Sequence, residues 1–208
     1  WNLNVSGAQS VQYVNVMNSY ACGGDDIETT DSTDSGDNNC WWFTAYTLSG
    51  TADANEGATV KYAYNSTPDE VHTATISGGT WAIPDAPRAA AGDIVTVWID
   101  GVADANEATA ITKSIDQEAI TGLALNAHTL SVGDSTGDAP SLTVADLGLY
   151  DNDSDEDILH SANSSVLTVD DDAVYADEKI SVLAGSTLTV GTGETLNTHD
   201  VQIGGSLT

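Results

Sequence analysis

Four aspartates alternate through Asp151-Asn-Asp153-Ser-Asp155-Glu-Asp157, with Ile158 next. Carboxylates at every second position of a loop can converge on one hard cation, and calcium accepts roughly six to eight oxygen ligands. Asp151, Asp153, Asp155 and Asp157 are therefore the candidate ligands for Ca2+. Ile158 stands at the apolar position that anchors loops of the EF-hand type. Two features of such a loop are missing: Glu156 sits where glycine is needed, and Ala162 replaces the bidentate glutamate. The other reading is a solvated acidic turn. Asp170-Asp171-Asp172 and the acidic loop at 25–37 echo the pattern more weakly.

Cys22 and Cys40 bracket that second acidic loop. In an exported chain such a pair is expected to close a disulfide, the alternative being two buried thiols. Catalytic patterns are sparse. His72, His128, His160 and His199 lack zinc-ligand spacing, and there is no Gly-x-Ser-x-Gly elbow. Sugar-cleaving lyases on β-helices add Arg or Lys to meet developing negative charge, and only Lys179 borders a candidate helical-β segment. The expectation is a protein that is not an enzyme.

Composition narrows the partners. Among 208 residues, four Lys and Arg face 32 Asp and Glu, for a formal charge of −28. Nucleic acid and anionic membranes are excluded as partners, since both are met by basic side chains. No apolar run is long enough to insert in a membrane. So acidic a chain repels itself unless cations neutralise it, which points to saline or calcium-containing surroundings. Abundant Thr, Val, Gly, Asn, Asp and Ser suit exported all-β proteins, and the expected location is extracellular or at the cell surface. The sequons at Asn4, Asn65, Asn152 and Asn163 arise by chance in such a composition and carry little weight.

The elements that must position these groups are short strands. Val166-Leu-Thr-Val169, Ile180-Ser-Val182, Leu188-Thr-Val190 and Val201-Gln-Ile203 are apolar-x-apolar steps separated by glycines. Their spacing leaves no room for crossover helices and predicts strands that turn and stack, as in a β-solenoid. The stretch from Ile203 to Thr208 has no polar cap, proline or charge run, and is read as an open coil end that invites another strand. Trp1-Asn-Leu3-Asn-Val5 and Val11-Gln-Tyr13-Val14-Asn-Val16 have the same texture. Between the two lie candidate strands at 43–49, 58–64, 71–76, 80–83, 93–99 and 107–113, punctuated by breakers including Asn65-Ser-Thr-Pro68 and Asp100-Gly101, the latter a hairpin signal. That spacing predicts an immunoglobulin-like β-sandwich. The phrase Ala-Asp-Ala-Asn-Glu occurs at 52–56 and 103–107, either by coincidence or as two related acidic turns. The expected organisation is an all-β chain: a β-solenoid segment with an acidic loop at 1–42, the sandwich at 43–113, and a linker with a second β-solenoid segment at 114–208.

The order of these pieces carries a resemblance. Val-Gln-Tyr-Val-Asn-Val at 11–16, Gly-Asp-Asn-Asn-x-Trp at 36–41, Ala-Gly-Asp-Ile-Val-Thr-Val-Trp-Ile-Asp-Gly at 91–101 and Leu-Tyr-Asp-Asn-Asp-x-Asp at 149–155 follow one another. So arranged, nearly the whole chain resembles very large bacterial surface proteins that alternate β-helix segments with immunoglobulin-like modules. The resemblance implies a structural or adhesive extracellular role. The functional expectation is a subunit that polymerises head to tail with copies of itself. Leu3, Val5, Val14 and Val16 of one copy would stack on Leu188, Val190, Val201 and Ile203 of the next. The alternative is an adhesin or carbohydrate-binding stalk repeat of a larger protein, with surface glycans as partners.

Overall fold

The computed structural model describes every residue except 1, 8, 13, 25, 26, 31, 32, 35, 43–45, 85, 104, 105, 116, 117, 137, 138, 164 and 170–176. The Asp170–Asp172 run, three aspartates of the 25–37 loop and Phe43 therefore lie outside the described residues. The described residues are all-β, 47% strand and 3% helix. It divides into two compact units, residues 1–46 with 84–88 and residues 47–83 with 89–208.

The first unit contains β1 (Gln9–Gln12), β2 (Asn15–Val16), β3 (Ile27–Thr30), β4 (Thr33–Asp34) and β5 (Trp41–Trp42). Every pairing among them is parallel: β1 with β3, β3 with β5, and β2 with β4. A third ladder runs through single bridges from Asn2 to Tyr20 to Asn39. Paired positions are offset by 18 residues at Asn2–Tyr20, Gln9–Ile27 and Asn15–Thr33 (20 − 2, 27 − 9, 33 − 15). Buried Ser19 takes part in two side-chain contacts. Its amide donates to Asn38 Oδ1 at 3.0 Å, and its hydroxyl accepts from Trp41 Nε1 at 3.0 Å. Gly24 has no alternative here, because a Cβ would lie 1.8 Å from the Val5 carbonyl oxygen.

Cys22 and Cys40 form the expected disulfide, with Cα atoms 5.2 Å apart. The bond joins neighbouring rungs, between the Tyr20–Asn39 bridge and the Ile27–Trp41 pairing. Closing a loop of that length stabilises by about 3 kcal/mol in the chain-entropy account. Replacing both cysteines with serine is expected to lower the urea midpoint of this unit accordingly. An unchanged midpoint would show that hydrogen bonds alone hold the rungs.

The second unit begins with β6 (Leu48–Ala52), β7 (Thr59–Tyr64), β8 (Thr67–Thr75), β9 (Thr80–Ile83), β10 (Ile94–Asp100), β11 (Ala108–Lys113) and β12 (Ile120–Leu125). It continues with β13 (Thr129–Val132), β14 (Ser141–Thr143), α1 (Val144–Leu147), β15 (Ser161–Ala162) and β16 (Val166–Thr168). It closes with β17 (Lys179–Val182), β18 (Thr187–Thr189), β19 (Thr195–Asn197), β20 (Asp200–Ile203) and β21 (Ser206–Leu207). Seven strands form one sheet in the order β20-β17-β13-β11-β10-β7-β8. Its β8, β7, β10 and β11 pair antiparallel, whereas β11, β13, β17 and β20 pair parallel. A three-stranded sheet, β12-β6-β9, contributes buried Leu48, Trp81, Ile83, Leu123 and Leu125. Parallel ladders also join β14 to β18 to β21, and β16 to β19.

The strands expected at 58–64, 80–83, 93–99 and 107–113 fall within a residue of β7, β9, β10 and β11. Two turn signals are corrected. Pro68 does not break the chain but lies inside β8, which is the outermost strand of its sheet and so tolerates a missing N–H. Asp100-Gly101 is not a two-residue hairpin, since the connection runs from 101 to 107 before β11. The two Ala-Asp-Ala-Asn-Glu turns do meet: Asn55 Nδ2 donates to the Asn106 carbonyl at 2.9 Å.

One apolar core runs beneath the long sheet. It takes Ile94 and Ile111 from the antiparallel part, and Leu130, Val132, Ile180 and Val182 from the parallel part. Leu142, Val144, Leu147, Leu159, Leu167, Val169 and Leu188 fill it from below. Near the sheet's other end, Asp69 accepts from the Val71 and His72 amides, from Tyr62 Oη and from His72 Nδ1, all within 2.8–2.9 Å. Partial burial pushes its carboxyl up, but these donors outweigh that and hold it at about 2. A depressed carboxylate stabilises the fold above its unfolded value near 4, and the contribution is lost as pH falls toward 2. Asp69→Asn is expected to cost about 1–2 kcal/mol at neutral pH, allowing for solvent screening. The parent–variant difference in urea unfolding should shrink as pH falls through that window. A constant difference would locate the effect elsewhere.

Candidate functional site

The acidic loop at 151–157 is tied to its surroundings by separate contacts. Asp151 is buried, and its Oδ2 accepts the Ala162 amide at 2.8 Å. Asp153 is exposed. Asp155 Oδ1 accepts the Asp157 amide at 3.1 Å, and Asp157 Oδ2 accepts the Gly101 amide at 2.9 Å. Burial pushes the Asp157 carboxyl up, aided by the charges of Asp155, Asp100 and Glu156 against the Gly101 hydrogen bond. Ile158 does anchor the loop: it is fully buried with Ala63, Trp98 and Tyr150, the two rings lying 5.2 Å apart. Beside it, buried His160 lines up Nε2 with the Leu147 carbonyl at 2.9 Å. Burial lowers its pKa, against that carbonyl and Asp151. Among the described residues no three His, Cys, Asp or Glu groups are placed to hold a metal ion.

The parallel ladders set out a second site. Position by position, Leu130 pairs with Ile180 and Ile180 with Val201; Val132 pairs with Val182 and Val182 with Ile203. Leu142 pairs with Leu188, and Leu188 with Leu207. In each row the first two members are buried, at 0–1% exposure. The last members are open: Val201 40%, Ile203 44% and Leu207 38%. β20, β21 and β19 each have a neighbour on one side only among the described residues. The three rows therefore end on an exposed apolar face bordered by unpaired strand edges.

This arrangement sorts the expected interface residues. Val201 and Ile203 stand on the open face. Val190 is partly buried against the core. Leu188 belongs to the core itself and pairs with Leu207 on its outer side. Leu207 stands on the open face with Val201 and Ile203. In the first unit Leu3, Val5 and Val14 are half-buried and Val16 is buried.

One further row was invisible in the sequence. Immediately before the paired positions of β11, β13, β17 and β20 stand Glu107, His128, Glu178 and His199. The His128 amide donates to the Glu107 carbonyl and the Lys179 amide to the His128 carbonyl, each at 2.9 Å. Glu107 and Glu178 are buried and His199 is exposed on the outermost strand. Acid and imidazole thus alternate across four adjacent strands. The separation of 50 positions between His128 and Glu178 (178 − 128) conceals the row.

No family model matches this chain, nor does any curated protein or solved structure.

Proposed function

We propose that the protein is an extracellular structural subunit that polymerises head to tail. The parallel ladders of both units are β-solenoid coils, and the antiparallel strands with β12-β6-β9 form an immunoglobulin-like sandwich. The open edge of β19, β20 and β21 in one copy is continued by the N-terminal strands of the next. The observation that carries this reading is the exposed end of the three apolar rows at Val201, Ile203 and Leu207. An edge of unpaired N–H and C=O groups beside an apolar face is a template for strand addition.

Two properties support a second copy as the occupant. Among the described residues, β20 has an open side at the late edge of a parallel stack, and β1 has one at the early edge of another. Parallel strands add late edge to early edge, so the two are complementary but neither is self-complementary. Repeating such a heterologous contact gives a filament or a ring. Charge is the other property. The first charged residue in the chain is Asp25, and residues 179–208 contain only Lys179, Glu194 and Asp200, while the whole carries −28. The two edges are the places where copies can approach without like-charge repulsion.

Sedimentation and electron microscopy of the full chain at low and molar salt test the reading. Filaments should lengthen with salt as the remaining acidic surface is screened. A monomer at every salt concentration would overturn it.

A further inference from the structure

Resting on that reading, we infer the register of the junction: Leu3-Asn4-Val5 of one copy lies parallel to Val201-Gln202-Ile203 of the next, Leu3 beside Val201 and Val5 beside Ile203. Within the second unit this side of the ladder repeats one motif. It runs Leu130-Ser-Val132, Ile180-Ser-Val182 and Val201-Gln-Ile203, aliphatic-polar-aliphatic in strict register. The next member must supply the same alternation, because a one-residue slip would turn the polar residue onto the apolar face. Leu3-Asn-Val5 does so. Both aliphatic residues are half-buried and Asn4 between them is exposed.

The lengths of the sides agree. From β17 to β21 the shortest step from one strand to the next leads onto this side, from Thr195 to Asp200, five residues (200 − 195). Along the first rung of the first unit, from Asn2 to Tyr20, the shortest step is also five, from Asn15 to Tyr20 (20 − 15), and Tyr20 is the ladder neighbour of Asn2. The side that carries Asn2 thus corresponds to the side that carries β20. The competing register would seat β1 there. It would bring Gln9-Ser10-Val11 to the open face and place a polar residue where β13, β17 and β20 each carry an aliphatic one.

Two single-cysteine variants of the full chain, Asn4→Cys and Gln202→Cys, are mixed with the native disulfide left oxidised. Neighbouring positions on paired strands lie about 5 Å apart, within reach of a short bismaleimide. The expected result is a cross-linked species containing one chain of each variant, at least ten times more abundant than from Ser10→Cys mixed with Gln202→Cys. Because the cysteines sit on different chains, the product reports contact between copies. If polymers form and Ser10→Cys cross-links instead of Asn4→Cys, the register is overturned while head-to-tail assembly stands. If neither mixture cross-links and sedimentation shows monomers, the assembly reading itself falls.

Discussion

Val201→Asp with Ile203→Asp is expected to leave the protein folded and to abolish assembly. Both side chains lie on the outermost strand and contribute little to the core beneath it, so the thermal midpoint should hold. At the junction the effect is large. The pair forfeits the remaining burial of two aliphatic side chains, roughly 1 kcal/mol or more each. It also places two carboxylates in a contact that excludes water, at a cost of several kcal/mol unless they find partners. The sum exceeds about 4 kcal/mol, or at least a thousandfold in association. Sedimentation velocity of parent and variant at molar salt would measure it, with circular dichroism as the folding control. A folded double variant that still forms filaments would mean that the junction lies elsewhere.

Leu188→Ala should do the opposite. Leu188 is fully buried between Leu142 and Leu207, so truncation removes core contacts and leaves a cavity. The cost for such a site is about 2–5 kcal/mol. For a unit of this size that is a fall of roughly 5–15 °C in Tm. Ile203→Ala, identical in local pattern, should leave Tm nearly unchanged. A melting comparison of the two single variants separates core from edge. Equal shifts would show that β20 is as deeply integrated as β18.

That contrast also marks what the sequence can convey. Leu188-Thr-Val190 and Val201-Gln-Ile203 are the same local phrase, and alternation correctly makes both strands. Alternation does not say how many rungs lie above a given step, and burial depends on that count. Strands such as Thr80-Trp-Ala-Ile83 were legible because their period and flanking glycines are local. The Asp151–Asp157 spacing was equally visible, but where Asp157 and Asp151 turn is decided by the amides of Gly101 and Ala162, outside the loop. The Cys22–Cys40 pair was legible as a bond. Its role in tying successive rungs is set by the pairings on either side of it, Tyr20 with Asn39 and Ile27 with Trp41, which no local pattern announces.

The long sheet has a mechanical consequence. Strand-to-strand hydrogen bonds in a parallel stack point along its axis, so tension along that axis pulls on them directly. Within the last rungs the load is shared by ladders on three sides, through β20, β21 and β19. Where the parallel part meets the antiparallel part, β11 pairs with β13 from Ala108–Thr129 to Ile111–Val132, extended at its ends by the His128 amide on the Glu107 carbonyl and the Gly133 amide on the Ile111 carbonyl. The apolar core on either side of that seam carries the rest. Under tension this seam is where the second unit should yield first, and bulky packing by Ile111, Leu130 and Val132 sets the force it withstands.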